Sequence, residues 1–210
     1  LEGDSRPLQA FVSEQYFGLI RNLQRFGWLV PYLFGTSPAV CKSFLAGKQT
    51  TLSDFNENTY FSPHATSLRM CDIGYQNSLE NEVGFKASYD SLDAYVTSLG
   101  RAIETPSPRF EEIGVKVDGS YRQLNANMLQ IENEYYSSVR PKQVPELNEK
   151  PTLALQRRGV RYVELRSLDI NIFDPQGISE NQCRFIETFM AFCLLHDSPV
   201  ISRQEREEID

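Results

Sequence analysis

The chain has 210 residues, with 21 basic against 28 acidic side chains, a formal net charge of −7 and 40% hydrophobic content. That is enough for one domain with a buried core, in a composition ordinary for a globular protein. The negative balance weighs against a nucleic-acid or anionic-membrane surface, and the apolar run at 26–34 is too short to span a bilayer and contains Pro31.

Residues 9–34 carry Phe11, Tyr16, Leu19, Ile20, Leu23, Phe26, Leu29 and Val30 at helical spacing, and Pro31 is expected to kink or end that helix. Arg21 and Arg25 fall on one face of it and read as exposed cations, or as carboxylate binders. Ser37-Pro38 predicts a short second helix that turns Val40, Cys41, Phe44 and Leu45 inward. Residues 47–63 are polar and read as a loop or a short hairpin. The run around Arg69 is extended or a single helical turn, with Asp72 as a local partner for the arginine.

Ser88 is expected to cap a helix running to about Ile103, and a shorter helix follows at 109–113, stopping at Gly114. Asp118-Gly119 predicts a tight hairpin between 115–117 and 121–124. The stretch 125–139 is ambiguous. Extended, it puts Gln130, Glu132, Glu134 and Tyr136 on one face; otherwise it opens a helix or forms a solvated strand. A short helix is expected over 151–158. Ser179 with Gln182, and Ser202 with Glu205, are capping-box pairs that open two further helices.

Between the 151–158 helix and the first capping box lies the most informative stretch, residues 159–171. Val163, Leu165, Leu168 and Ile170 predict a strand. Alternation then points Glu164 and Arg166 the same way. Two readings stand: an edge strand with a cross-strand ion pair, or a site that needs one hard anion and one bidentate cation. Cys41, Cys71, Cys183 and Cys193 form no CxxC pair and no metal-ligand spacing. They read as reduced thiols of a cytoplasmic protein, buried as small apolar side chains, and no signal-peptide pattern is present.

The segment YVELRSLDIN, with RFGWLVPYLFGTSPAVCKSFL, HATSLRMCDIGYQN and LQIENEYYSSVRPK in the same order, resembles the proteobacterial glutamate–cysteine ligase family. The resemblance implies an α+β fold, an antiparallel sheet with flanking helices like that of glutamine synthetase. It implies ATP-dependent joining of the glutamate γ-carboxylate to the cysteine amine through γ-glutamyl phosphate, the first step of glutathione synthesis. By the same resemblance Glu164 matches a Mg²⁺ ligand and Arg166 the arginine that neutralises the phosphoryl group. Arg69 and Tyr136 match ligands of the cysteine carboxylate, and Tyr75 lines the cysteine side-chain pocket. The family is longer at both ends, so residues 1–210 are expected to be one partial catalytic domain, incomplete at both ends. No glycine-rich GxxxxGK[ST] phosphate loop occurs, as the resemblance implies. The rival readings are a non-catalytic folded fragment, an interaction module, and a glycosidase using the Glu132/Glu134 pair.

Overall fold

Ser13, Phe17, Ile20 and Leu23 recur at three- and four-residue intervals on the buried face of helix α1 (Leu8–Phe26). The computed structural model describes residues 7–45, 49–71 and 85–209. Helix α1 ends at Gly27, and α2 (Leu29–Phe34) follows at once. Pro31 therefore does not break the helix. It stands in the first turn of α2, where a missing N–H has no helical acceptor to lose.

The segment after Ser37-Pro38 is a strand, not the expected helix. Strand β1 (Ala39–Cys41) pairs with β3 (Thr59–Phe61), which pairs with β2 (Ser53–Asn56), all antiparallel. The β2–β3 hairpin falls inside the polar stretch where one was anticipated, and its pairing with β1 overrides the local helix signal. Only a 3-10 turn, Lys42–Leu45, remains helical, with Leu45 buried and Phe44 exposed.

Helix α3 (Leu92–Glu104) is capped by Ser91, whose hydroxyl accepts the Ala94 N–H at 3.1 Å, rather than by Ser88. Ser88 instead closes a local turn, accepting the Asp90 N–H at 3.3 Å. Helix α4 (Pro108–Ile113) ends at Gly114, and β4 (Lys116–Val117) turns into β5 (Ser120–Tyr121) through Asp118 and Gly119. Both turn residues have positive φ, 50° and 80°, as the Asp-Gly signal requires.

Strand β6 (Val139–Lys142) pairs antiparallel with β7 (Tyr162–Leu165), Arg140 opposite Glu164. Helix α5 (Pro151–Arg158) lies in the connection, and Gly159 at φ 69° turns the chain into β7. A Cβ at Gly159 would meet Ser13 Oγ at 2.6 Å, so both backbone and space require glycine there. Helix α6 (Glu180–Leu195) opens with the complete Ser179/Gln182 capping box and packs along α1. Phe189 and Cys193 face inward, whereas Leu194, expected inward, is exposed. At α7 (Arg203–Ile209) only half of the second box forms. Ser202 Oγ accepts the Glu205 N–H, and the Glu205 carboxylate is taken by Arg25 Nε at 2.5 Å.

The class is α+β, with the strands in three separate antiparallel sheets among the described residues. One core joins α1, α3, α6 and the β6–β7 ladder through Phe17, Ile20, Tyr95, Leu99, Val139 and Phe189. Two expectations about polar residues fail here. Arg21 is buried, with its guanidinium donating to the carbonyls of Tyr89, Asp90 and Ser198, and burial followed by the nearby Arg25 lowers its pKa. The four cysteines are unbridged but differ in burial. Cys193 is buried and its thiol is pushed up to about 11, while Cys41 and Cys183 are exposed.

Candidate active site

Strand β7 delivers Glu164, and the ladder continues one residue further, because the Arg166 N–H donates to the Ser138 carbonyl at 2.8 Å. The two-residue alternation that puts Glu164 and Arg166 on one side thus extends to both. The regular strand is shorter than expected, since residues 166–171 are not strand. Asp169 accounts for part of the departure. It is buried, and its Oδ2 accepts the Thr36 N–H at 2.9 Å and the Ser37 hydroxyl at 2.7 Å, which ties the chain to β1 rather than to β6.

Arg166 has two further attachments. Its guanidinium lies over the Tyr136 ring, 4.6 Å from the centroid, a contact worth about 0.5–1 kcal/mol where partly exposed. Its carbonyl accepts the Arg69 Nε–H at 2.7 Å. Arg69 is itself set by the bridge between Ser37 and Ser67, and its N–H donates to Ser67 Oγ at 3.2 Å. Three separated stretches therefore bring Arg69, Tyr136 and Arg166 together. Arg69 lines a cavity of about 370 Å³ with Asp169 and Ile170. Tyr136 lines another, of about 610 Å³, with Lys86, Ser138 and Ser167. Arg166 touches both lining residues. Tyr75 lies outside the described residues.

Tyr136 does not arrive on a strand. Glu132–Glu134 form a 3-10 turn, so the alternation imagined for residues 130–136 is absent. Glu132 is buried, with its carboxylate accepting the Thr152 N–H at 2.8 Å and the Thr152 hydroxyl at 2.5 Å. Glu134 accepts the Gln130 N–H at 2.6 Å. Both carboxylates hold backbone, which removes the basis for a glycosidase pair. Lys142, on β6, stands with its Nζ 3.2 Å from Glu164 Oε2.

Among the described residues no three His, Cys, Asp or Glu side chains gather as a metal cage. Glu164 nevertheless suits one position in a cation site, because its Oε2 is a buried carboxylate oxygen that accepts no hydrogen bond. Ser167 Oγ, three residues further on, is also buried and without a hydrogen bond.

Arg166 joins Arg69 to Tyr136, and the Lys142–Glu164 pair lies on the adjoining β6–β7 ladder, a charged face on an α+β frame. The model of the glutamate–cysteine ligase family matches residues 2–210, and the chain belongs to that family. It is 52% identical over 208 residues to the glutamate–cysteine ligase of Alcanivorax borkumensis, covering 97% of this chain and 39% of that relative. The Shewanella amazonensis ligase is 53% identical over 202 residues, at 95% and 38% coverage. The chain thus spans about two fifths of the length of the curated relatives it matches. Among solved structures, the Francisella tularensis glutamate–cysteine ligase in complex with AMP superposes with a TM-score of 0.84 at 38% identity, over 94% of this chain and 39% of that one. A bifunctional glutathione synthetase from Pasteurella multocida gives a TM-score of 0.66 at 25% identity, over 100% and 22%. No helix among the described residues is long and apolar enough to cross a membrane.

Proposed function

We propose that residues 1–210 form part of the catalytic domain of an ATP-dependent glutamate–cysteine ligase. The observation that carries this reading is the convergence of Arg69, Tyr136 and Arg166 in a chain of that family. The AMP in the Francisella ligase structure supports a nucleotide substrate. Four unbridged thiols support a reducing compartment, the cytoplasm.

The reaction has two steps. A γ-carboxylate oxygen of glutamate attacks the terminal phosphorus of ATP; ADP leaves and γ-glutamyl phosphate forms. The cysteine amine then attacks the acyl carbon, the bond to phosphate oxygen breaks, and phosphate departs as the amine nitrogen loses a proton. Negative charge builds on the transferring phosphoryl group in the first step and on the departing phosphate in the second. Arg166, held flat by Tyr136, offers a planar pair of donors to that charge without reorganising. Arg69 and Tyr136, each in contact with Arg166, hold the cysteine carboxylate, and Tyr75 walls its side chain. That arrangement sets the amine beside the acyl phosphate.

Mg²⁺, when bound, neutralises the triphosphate and polarises the terminal phosphoryl group. Glu164 would supply one of its ligands. The decisive experiment labels the glutamate γ-carboxylate with ¹⁸O in the full-length enzyme. One labelled oxygen should appear in inorganic phosphate for each peptide bond made. Product without label in phosphate would exclude the acyl phosphate, and no cysteine-dependent phosphate release would exclude the ligase.

A further inference from the structure

Glu164 and Lys142 sit on neighbouring strands but are not direct partners. Arg140 is opposite Glu164, and Lys142 is opposite Tyr162, so Lys142 reaches diagonally to the carboxylate. Its Nζ stops 3.2 Å from Glu164 Oε2. That oxygen is covered and accepts no hydrogen bond, although 42% of the Glu164 side chain is exposed. The closed oxygen is the one that faces the lysine.

We propose that Lys142 is the resident counter-cation of Glu164, withdrawn when a divalent cation takes that carboxylate. The proposal rests on the reading of Glu164 as a metal ligand and adds a positioning residue to it. An ammonium and a hard divalent cation compete for the same oxygen, and both cannot sit within contact distance of it. The lysine is placed for exchange. It is 28% exposed, its charge rides on a flexible stem, and a half-exposed ion pair is weak enough to give way. Arg140, the other cation on this ladder, is not suited to the role. It is buried, with Nη2 3.5 Å from the Glu132 carbonyl and its side chain on the Tyr95 hydroxyl. With no metal bound, Lys142 keeps Glu164 oriented and neutralised beside Arg166. Once released, the carboxylate is already aimed.

The test measures binding of Mn²⁺ alone, by electron paramagnetic resonance of the free ion, to the full-length enzyme that carries this chain. Three variants are compared: Lys142→Met, Lys142→Arg and Glu164→Gln. Removing a competing positive charge should tighten Mn²⁺ about ten-fold in Lys142→Met, from the Coulomb energy of a unit charge near a divalent ion. Lys142→Arg keeps the charge and should stay near wild type. Glu164→Gln should weaken binding about ten-fold or more. A lysine with a merely structural role would lower the melting temperature on removal and leave Mn²⁺ affinity unchanged. Unchanged or weaker binding in Lys142→Met, with the loss in Glu164→Gln intact, overturns the exchange alone. Unchanged binding in Glu164→Gln overturns the assignment of Glu164, and the exchange with it.

Discussion

Arg69 donates its Nε proton to the backbone carbonyl of Arg166 at 2.7 Å, so the two arginines meet through one peptide unit, ninety-seven residues apart in sequence. The bond uses the inner edge of the Arg69 guanidinium. It also fixes the carbonyl that follows the residue stacked on Tyr136. A change at Arg69 therefore reaches Arg166 without touching its side chain.

Replacing Arg166 with lysine should lower kcat about ten- to a thousand-fold, by analogy with donors aimed at charge that develops during reaction. Lysine keeps the charge but loses the planar fork and the flat stack on Tyr136. Steady-state kinetics on the full-length enzyme, varying ATP, glutamate and cysteine in turn, would check it. Unchanged kcat with a raised KM for any one substrate would contradict the assignment.

Arg69→Lys should act differently. In the proposed role its contact is to a carboxylate present before and during reaction, so the main effect should be a rise in the KM for cysteine, about ten-fold, with the KM for ATP and glutamate little moved. The link to the Arg166 carbonyl adds a smaller fall in kcat. Equal losses in the two variants, with the cysteine KM unmoved, would mean that Arg69 serves only as a brace for Arg166.

The helices and the tight turns were legible in the sequence because their signals are local. Ser179 and Gln182 close a capping box, Asp118-Gly119 makes the hairpin, and Gly114 stops α4. What escaped was set by distant partners. Ser37-Pro38 leads into a strand because β3, some twenty residues on, pairs with it. Glu132 leaves its supposed face because Thr152 presents both an N–H and a hydroxyl to it. Arg21 is buried because three carbonyls from two remote segments converge on its guanidinium. In the site, the family resemblance singled out Arg69, Tyr136 and Arg166 but not their order in space. The stacking of Arg166 on Tyr136 and the approach of Lys142 to Glu164 are set by tertiary packing, which no local signal carries.

Glu132 should prove structural. Glu132→Ala leaves the buried Thr152 N–H and hydroxyl without an acceptor, a loss of about 2 kcal/mol or more. Thr152→Val removes only the hydroxyl and should cost about 1 kcal/mol. Urea unfolding of the single variants and the pair should give a non-additive cycle. Full additivity would mean that the pair is not coupled.

Acid should weaken the fold through Glu149. Hydrogen bonds from Arg158, then from the Glu146 N–H, hold its carboxyl at about 2, well under the ordinary 4.5. A depressed folded value means the stabilisation is full above the unfolded value near 4.5 and is lost as the pH falls towards 2. Thermal melts across that window should show a falling midpoint, and Glu149→Gln should flatten this part of the slope. An unchanged slope would place the acid sensitivity elsewhere.

The isolated 210-residue chain should not make γ-glutamylcysteine at a useful rate. Joining the two amino acids requires a triphosphate neutralised and aligned before the γ-carboxylate attacks. The described residues offer one suitable carboxylate, Glu164, already paired with Lys142, and no cluster of three metal-binding side chains. A single carboxylate does not hold Mg²⁺ firmly against its hydration shell. One arginine in the role proposed for Arg166 cannot balance a triphosphate with two amino acid carboxylates close by. The chain covers about 39% of its Alcanivorax relative, and the missing ligands are expected in the remainder. Phosphate release from purified polypeptide, with ATP, Mg²⁺, glutamate and cysteine, should therefore not depend on cysteine. Adding the remaining segments of the enzyme should restore that dependence. Cysteine-dependent release from these residues alone would show that Glu164, Arg69 and Arg166 are a sufficient catalytic site.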